Sequence, residues 1–437
     1  MSSVKNTKVN EYINEVCSLI KNKKVHAEIK EELLSHIEDI IYDSIQSGIS
    51  LDAAIDKALL QMGSAEVIGR DLNKAHKCNS DWILLTMTSA LIFFGFLTTG
   101  FLQFNSFTLT EDYSPNYFGK LLVFLGVSIV LALLSLKLDY RKLKNYSLSL
   151  YIFNIILIVL TLFLSPYVNG MRRWLFIGSL SIDTLTITPI LLIVSLAGIF
   201  DSYNWNNRKS LIKGFTLVFI PSMLFLATSS ISTTLIYLIA SFTVMHISGL
   251  KTKHLVMTFS FFATIFSLAI FSGPYYRKDR FFAFLNPLKD SEGSGWIYNQ
   301  LNTIRNSATL FGNSININSN FIPDSNMEFV LTSIIYCFGW IVGIIIIALV
   351  LSFIIRMFFI SINTKNTYGK LLVSGLCSLF TIQFILNILA NFSLSPILGI
   401  SMPFISYGGS QLVINVVAIS IINNVYKFRN THSELSN

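Results

Sequence analysis

Pro396-Ile-Leu-Gly-Ile-Ser-Met-Pro-Phe-Ile-Ser-Tyr-Gly-Gly-Ser-Gln411 stands between two long apolar runs, and its reading decides the fold. Two prolines and three glycines break the backbone there. Freed peptide groups find no water in hydrocarbon, so irregular chain at membrane depth survives only when buried in protein or lining a polar cavity. The stretch therefore implies a polytopic membrane protein with a built interior near its C-terminus. A plain re-entrant turn between two helices gives the same pattern of breakers.

Working outward, the composition agrees. The chain has 437 residues, of which 52% are hydrophobic and 13% charged, with a mean hydropathy of +0.60. Soluble domains carry roughly 25% charged residues. Thirty-six Phe and seventeen Tyr suit lipid-facing and interfacial surface. The net charge of +8 reports basic loops left on one side of the membrane. No basic stripe interleaves with aromatics, so nucleic acid is not an expected partner. Cys17, Cys78, Cys337 and Cys377 form no disulfide or zinc pattern. The first eighty residues are polar and helix-like, without a cleavable signal's charged and apolar regions.

Ten apolar runs follow Trp82, at about 82–103, 119–137, 147–167, 184–202, 213–229, 231–249, 254–272, 329–355, 369–391 and 410–427. Each approaches the ~20 residues a bilayer requires. With the N-terminus inside, the inner loops carry Arg141, Lys142 and Lys144; Arg208, Lys209 and Lys213; Lys251 and Lys253; Arg356, Lys365 and Lys370; and Lys427 and Arg429. The first outer loop carries Glu111 and Asp112 instead. This bias predicts ten spans with both termini cytoplasmic. Residues 1–78 differ. They are acidic, with Ile29, Leu33, Ile37, Ile40 and Ile41 at helical spacing and stop signals at Gly48 and Gly63. They predict a small cytoplasmic bundle of three or four helices. The expected organisation is all-α: a prefix domain over 1–78, then a membrane domain over 79–437 with a large outer loop at 273–328.

Two outer loops carry positive charge against the topology signal. Arg172-Arg173-Trp174 is either an interfacial anchor, with Arg snorkelling, or a guanidinium clamp for phosphate. Arg280 and Arg305 of the long loop could join the same positive pocket. That loop exceeds the ~15 residues of an ordinary connector. Glu328, at its end, enters the eighth run near the helix N-terminus. An acid there gains about 0.3–1 kcal/mol from unpaired N–H groups. The alternative is a general base whose pKa is raised by partial burial. Asn387, Gln383 and Asp183 read as helix–helix glue.

Together these segments resemble the SEDS family (shape, elongation, division and sporulation), the FtsW/RodA/SpoVE-type peptidoglycan polymerases. The likeness covers about residues 82–430. Its most specific piece is 396–410, with Asn387 upstream. Asn169-Gly-Met-Arg-Arg-Trp174 with Gly178 and Ser181 resembles the family's outer-loop motif. Tyr276 to Arg280, Asn286-Pro287 and Gly293 to Gln300 resemble the start of its large loop, and Phe321-Ile-Pro323 with Glu328-Phe329 the end. The resemblance implies a ten-helix bundle of the bacterial plasma membrane that polymerises lipid II. Glu328 falls where the family has an essential aspartate. Carried over, it would take the proton from the acceptor hydroxyl. Arg172, Arg173, Trp174, Arg280, Gln300 and Arg305 would then bind substrate, with Asn387, Ser406, Tyr407, Gly408, Gly409 and Ser410. The pyrophosphate needs Arg partners or a divalent cation. A single-pass class B penicillin-binding transpeptidase is the implied partner.

The chain departs from the family in several motifs. Gln-Pro-Ser-Glu with a following Lys is here Asp183-Thr-Leu-Thr186 with Pro189. Pro-Asp-x-Gly at the sixth span is about Ser229 to Ser232. The long loop's Gly-rich run with a Lys becomes Asn306 to Ser314. A Glu pair in the eighth span is Tyr336-Cys337, and a His two residues before the catalytic position is Asn326. A catalytically inactive scaffold and a lipid flippase are the rival readings. A flippase of this kind shows a paired helix break in the other half of the chain, and no such Gly/Pro segment is found. The stretch Met62 to Gly69 resembles a permease-prefix-type domain, for which a stability appendage or a docking site for a cytoplasmic regulator are the two roles.

Overall fold

The computed structural model describes residues 7–20, 26–75, 80–105, 116–137, 139–168, 170–178, 180–271, 282–293, 295–313 and 323–429. The chain divides into two compact units, residues 1–80 with 426–437, and residues 81–425.

The first unit holds four helices: α1 (Thr7–Ser18), α2 (His26–Gln46), α3 (Leu51–Met62) and α4 (Ala65–Ala75). Their apolar stripes meet in one core of Val9, Ile13, Val16, Ile29, Ile37, Ala54 and Ile55, all at most 3% exposed. Gly48 and Gly63, both at positive φ, end α2 and α3. Lys8 and Asp56 join α1 to α3 at the surface, 2.7 Å apart.

The second unit is a helical bundle. Its elements are α5 (Trp82–Asn105), α6 (Tyr117–Lys137), the short α7 (Arg141–Asn145), α8 (Ser147–Leu164), strands β1 (Trp174–Ile177) and β2 (Leu180–Asp183), α9 (Thr184–Ile199), α10 (Arg208–Ala227), α11 (Ile231–Ile247), α12 (Thr252–Phe271), α13 (Trp296–Ser307), α14 (Val330–Phe338), α15 (Trp340–Ile362), α16 (Thr367–Asn391) and α17 (Gly409–Lys427). Among the described residues seven helices are long and apolar enough to cross a membrane: α5, α6, α8, α10, α15, α16 and α17. Two apolar helices, α9 and α11, are shorter, and α12 adds a further apolar helix of 20 residues. The protein is a multi-pass membrane protein, and each of the ten apolar runs corresponds to a helix.

Enclosure sorts these helices. Helices α9 and α16 are apolar nearly all round and largely buried, as central helices are. Around them pack α8, α11 and α15. Helix α6 turns most of its surface outward, with Val123, Val130 and Leu133 exposed, as a lipid-facing helix does. Where α5 begins, Asp81 accepts from Leu84 N and ion-pairs with Arg356 of α15 at 2.8 Å, while its own N–H donates to Asn423 of α17.

Two features differ from the sequence reading. The eighth run is not one helix. It breaks at Gly339, whose φ is +91°, into the nine-residue α14 and the spanning α15. A Cβ at Gly339 would lie 2.2 Å from the carbonyl of Leu310, so the long loop packs directly on the break. Glu328 therefore precedes a short buried helix rather than the span itself. The second difference is the antiparallel hairpin β1–β2, in register Trp174↔Asp183, which runs directly into α9 at Thr184.

Candidate active site

Glu328 ends a turn over residues 323–329 that leads into α14. The turn is fastened from below by the irregular 396–408 segment. Tyr407 N donates to the carbonyl of Asn326 at 2.8 Å, and Ser406 Oγ donates to that of Met327. Asn387 of α16 donates to both the Glu328 carbonyl (2.9 Å) and the Ile400 carbonyl (2.7 Å), so one amide locks the two irregular segments together. Phe404 sits at a positive φ of 67°, a cost of order 1–3 kcal/mol for a bulky residue. Its ring packs against Phe353 and Phe380, which holds it there. Gly399, φ +70°, passes close beneath the acid: a Cβ there would stand 3.2 Å from Glu328 Oε1.

The hairpin supplies the facing wall. Register places Trp174 opposite Asp183, and Arg173 immediately precedes. Arg173 Nε and Nη2 reach Asp183 Oδ2 at 2.9 and 2.7 Å, Nη2 also donates to Thr186 Oγ1, and the guanidinium lies over the Trp174 ring. Asp183 in turn N-caps α9 by accepting from Thr186 N, and its own N–H donates to Ser410 Oγ at 3.4 Å. Burial pulls the Arg173 guanidinium down, but the charge and hydrogen bond of Asp183 and the charge of Glu328 outweigh it and hold the pKa above its ordinary value.

These pieces enclose a cavity of about 480 Å³, lined by Arg173, Trp174, Ser181, Asp183, Glu328, Gly399, Ser401, Tyr407 to Gln411 and, from α6, Lys120, Val123 and Phe124. Glu328 thus shares a hollow with Asp183 and with two cations on its walls. The other side of α6, with Phe118, Leu122 and Leu125, helps line an apolar groove of about 880 Å³ shared with α5 and α17. One helix therefore separates the cavity that holds the charged groups from an apolar groove.

The family model described as "Cell cycle protein" (FtsW/RodA/SpoVE) matches residues 81–431. The chain belongs to the FtsW/RodA/SpoVE family. The probable peptidoglycan glycosyltransferase FtsW of Trichlorobacter lovleyi is 28% identical over 367 residues, covering 79% of this chain and 92% of that one. Stage V sporulation protein E of Bacillus subtilis is 25% identical over 365 residues, covering 80% and 98%. In fold, the chain is similar to a solved structure of a peptidoglycan synthase complex that coordinates polymerisation and crosslinking, at a TM-score of 0.68 and 22% identity, covering 80% of this chain and 98% of that one.

For this FtsW/RodA/SpoVE-family chain, the residues singled out from sequence divide into groups. Glu328, Arg173, Trp174, Tyr407, Gly408, Gly409 and Ser410 line the cavity, and Asn387 and Ser406 brace it from beneath. Three others lie elsewhere. Arg172 donates to the carbonyl of Leu162 and covers the Tyr167 ring. Arg305 of α13 donates to the carbonyl of Asn391 and covers the Phe392 ring, and burial lowers its pKa. Gln300, also on α13, does not line the cavity. Arg280 lies outside the described residues. Lys120 went unnoticed because it begins an apolar run, where Lys reads as a topology marker. Asp183 was read as helix glue. Its position opposite Trp174 exists only once the hairpin forms.

Among the described residues no three Asp, Glu, His or Cys side chains converge. Of the two carboxylates in the cavity, Asp183 already holds Arg173. Arg173 and Lys120 are the cationic side chains among the described residues that line the cavity. Tyr336 and Cys337, where the family's Glu pair stands, pack among Phe101, Leu102 and Phe338 and are remote in kind from this chemistry.

Proposed function

We propose that this chain is a peptidoglycan glycosyltransferase that polymerises lipid II, with Glu328 as its general base. The observation that carries the reading is the convergence of Glu328, Arg173 and Lys120 on one cavity. The carboxylate takes the proton of an acceptor sugar hydroxyl as that oxygen attacks the donor's anomeric carbon. The bond from that carbon to the diphosphate oxygen breaks, and undecaprenyl diphosphate leaves with its negative charge. Arg173 and Lys120 face the space where that charge develops, the setting in which preorganised cations contribute most. Trp174, turned toward the cavity, offers a flat apolar face to a sugar ring. The apolar groove on the other side of α6 suits the polyprenyl tail. Relatives named as probable peptidoglycan glycosyltransferases, similar over nearly their whole length, support the assignment.

The basic inner loops support a topology with both termini in the cytoplasm, and in that topology the cavity opens on the outer face, where lipid II is assembled into wall. The likeness to a complex that polymerises and crosslinks supports a membrane-anchored class B penicillin-binding transpeptidase as partner. The test is polymerisation of purified lipid II by the wild type and Glu328→Gln, with and without candidate transpeptidases. Loss of the general base lowers kcat by about 10²–10⁴-fold. Lys120→Gln lowers kcat/KM by a few-fold, since an exposed cation contributes about 1 kcal/mol at most. Equal polymerisation by wild type and Glu328→Gln would remove the acid from the mechanism and favour a non-catalytic scaffold.

A further inference from the structure

The Glu328 carbonyl accepts two hydrogen bonds, from Asn387 Nδ2 at 2.9 Å and from Asn391 Nδ2 at 3.0 Å. Both of its lone pairs are therefore used. With the bonds to Asn326 and Met327 described above, three successive carbonyls of the turn are held. Asn391 does more than add a donor. It is 1% exposed at the end of α16. Its Oδ1 accepts from Thr332 N at 3.0 Å and Thr332 Oγ1 at 2.9 Å, in the first turn of α14. Its Nδ2 also reaches Asn387 Oδ1 at 3.1 Å. Its own carbonyl receives the Arg305 guanidinium from α13. The side-chain amide ties α16, the Glu328 turn and α14 together, and the main-chain carbonyl of the same residue adds the long-loop helix.

We propose that Asn391 is a positioning residue for Glu328, fixing the peptide from which the acid projects and bracing it against α13 through Arg305. The inference rests on the reading of Glu328 as the base. A peptide plane is rigid, so two donors on its carbonyl set the direction in which the Glu328 side chain leaves. With one donor removed, the plane rotates about the remaining one. Displacing a reacting group by ~1 Å costs about 100-fold in rate. Asn391 does not line the cavity, so substrate affinity has no direct dependence on it. The effect therefore falls on kcat and leaves KM in place, whereas loosened packing would lower the melting temperature without choosing between the two constants.

The experiment measures kcat, KM and melting temperature for lipid II polymerisation by full-length protein in detergent. Asn391→Asp is near-isosteric, keeps an acceptor for Thr332 and loses the donor to Glu328. Asn391→Leu removes every side-chain bond at similar volume and leaves the main-chain carbonyl to Arg305. Arg305→Gln leaves the buried amide intact and removes the brace. Folded Asn391 variants are expected to lose about 10–100-fold in kcat with KM within about twofold, and Arg305→Gln a few-fold in the same sense. Glu328→Gln is run alongside. Unchanged kcat in the Asn391 variants, with Glu328→Gln inactive, overturns the positioning role and leaves the base assignment standing. Should both Asn391 variants fail to fold, unchanged kcat in Arg305→Gln overturns it instead. An active Glu328→Gln removes the underlying reading.

Discussion

At the scale of single residues, the reach of the acid is the first quantity to explain. Glu328 carries one methylene more than the family's aspartate, roughly 1.5 Å on ordinary bond lengths. The extra length is accommodated over Gly399, where any Cβ would press on Oε1 at 3.2 Å. Gly399→Ala adds that contact to a left-handed backbone that costs an L residue about 1–2 kcal/mol. It is expected to lower polymerisation by tenfold or more. In Glu328→Asp the carboxylate withdraws, so adding Gly399→Ala to Glu328→Asp costs less than it does alone. A double-mutant cycle of kcat checks this, and additive effects would show that the two do not touch in solution. Arg173 offers a pH test. Its folded pKa is raised, so the stability it contributes is complete below the ordinary guanidinium value and is lost only as pH climbs past the raised one. Nothing of it is lost between about pH 7 and 10. Arg173→Lys, with an ordinary value near 10.4, brings the loss within reach. Melting temperature against pH for the two proteins should diverge above about pH 10.

Elements show what a sequence can and cannot announce. The apolar runs located the membrane-crossing helices because lipid exposure demands ~20 apolar residues whatever the tertiary contacts. The break at Gly339 was invisible for the same reason: one glycine hardly changes the hydropathy of a long run, and its positive φ depends on Leu310 of a distant loop. The hairpin was equally silent. Four residues a side carry too little periodicity, and it is fixed by Arg173 and Asp183 across the turn. Arg172 and Arg305 were legible as charges but not as partners, since a guanidinium satisfied by backbone carbonyls leaves no pattern in sequence. The link between α5 and α15 gives an element-scale prediction. The Asp81 side chain is fully buried and the Arg356 side chain 26% exposed. Removing one partner of a buried pair costs about 3–5 kcal/mol, less where one is partly wet. Asp81→Ala should therefore lower the melting temperature markedly. Asp81→Ala combined with Arg356→Leu should recover much of it, because no unpaired charge remains. Thermal unfolding in detergent reads both, and a double variant as unstable as the single one would place the loss in the α5 cap rather than the pair.

For the whole molecule, the question is what binds the prefix helices into a unit. Every residue of their core lies between Val9 and Leu72, and each helix contributes to it. The bundle in the second unit has its own interior, organised about α9 and α16. A core assembled wholly from within one segment predicts folding of that segment alone, although about 80 residues is near the lower limit for an unaided domain. Residues 1–78 expressed alone should therefore give a helical, monomeric protein with a cooperative melt, of modest stability. The membrane domain from residue 79 onward should keep its polymerising activity, because Glu328, Arg173 and Lys120 all line a cavity built from residues 120–411. Circular dichroism of the first fragment and lipid II polymerisation by the second are independent readings. A non-cooperative melt in the first would mean that residues 426–429, which group with the prefix helices, are needed for its fold. Lost polymerisation by a folded second fragment would instead make the prefix part of the catalytic assembly, and would give its regulatory role precedence over a role in stability.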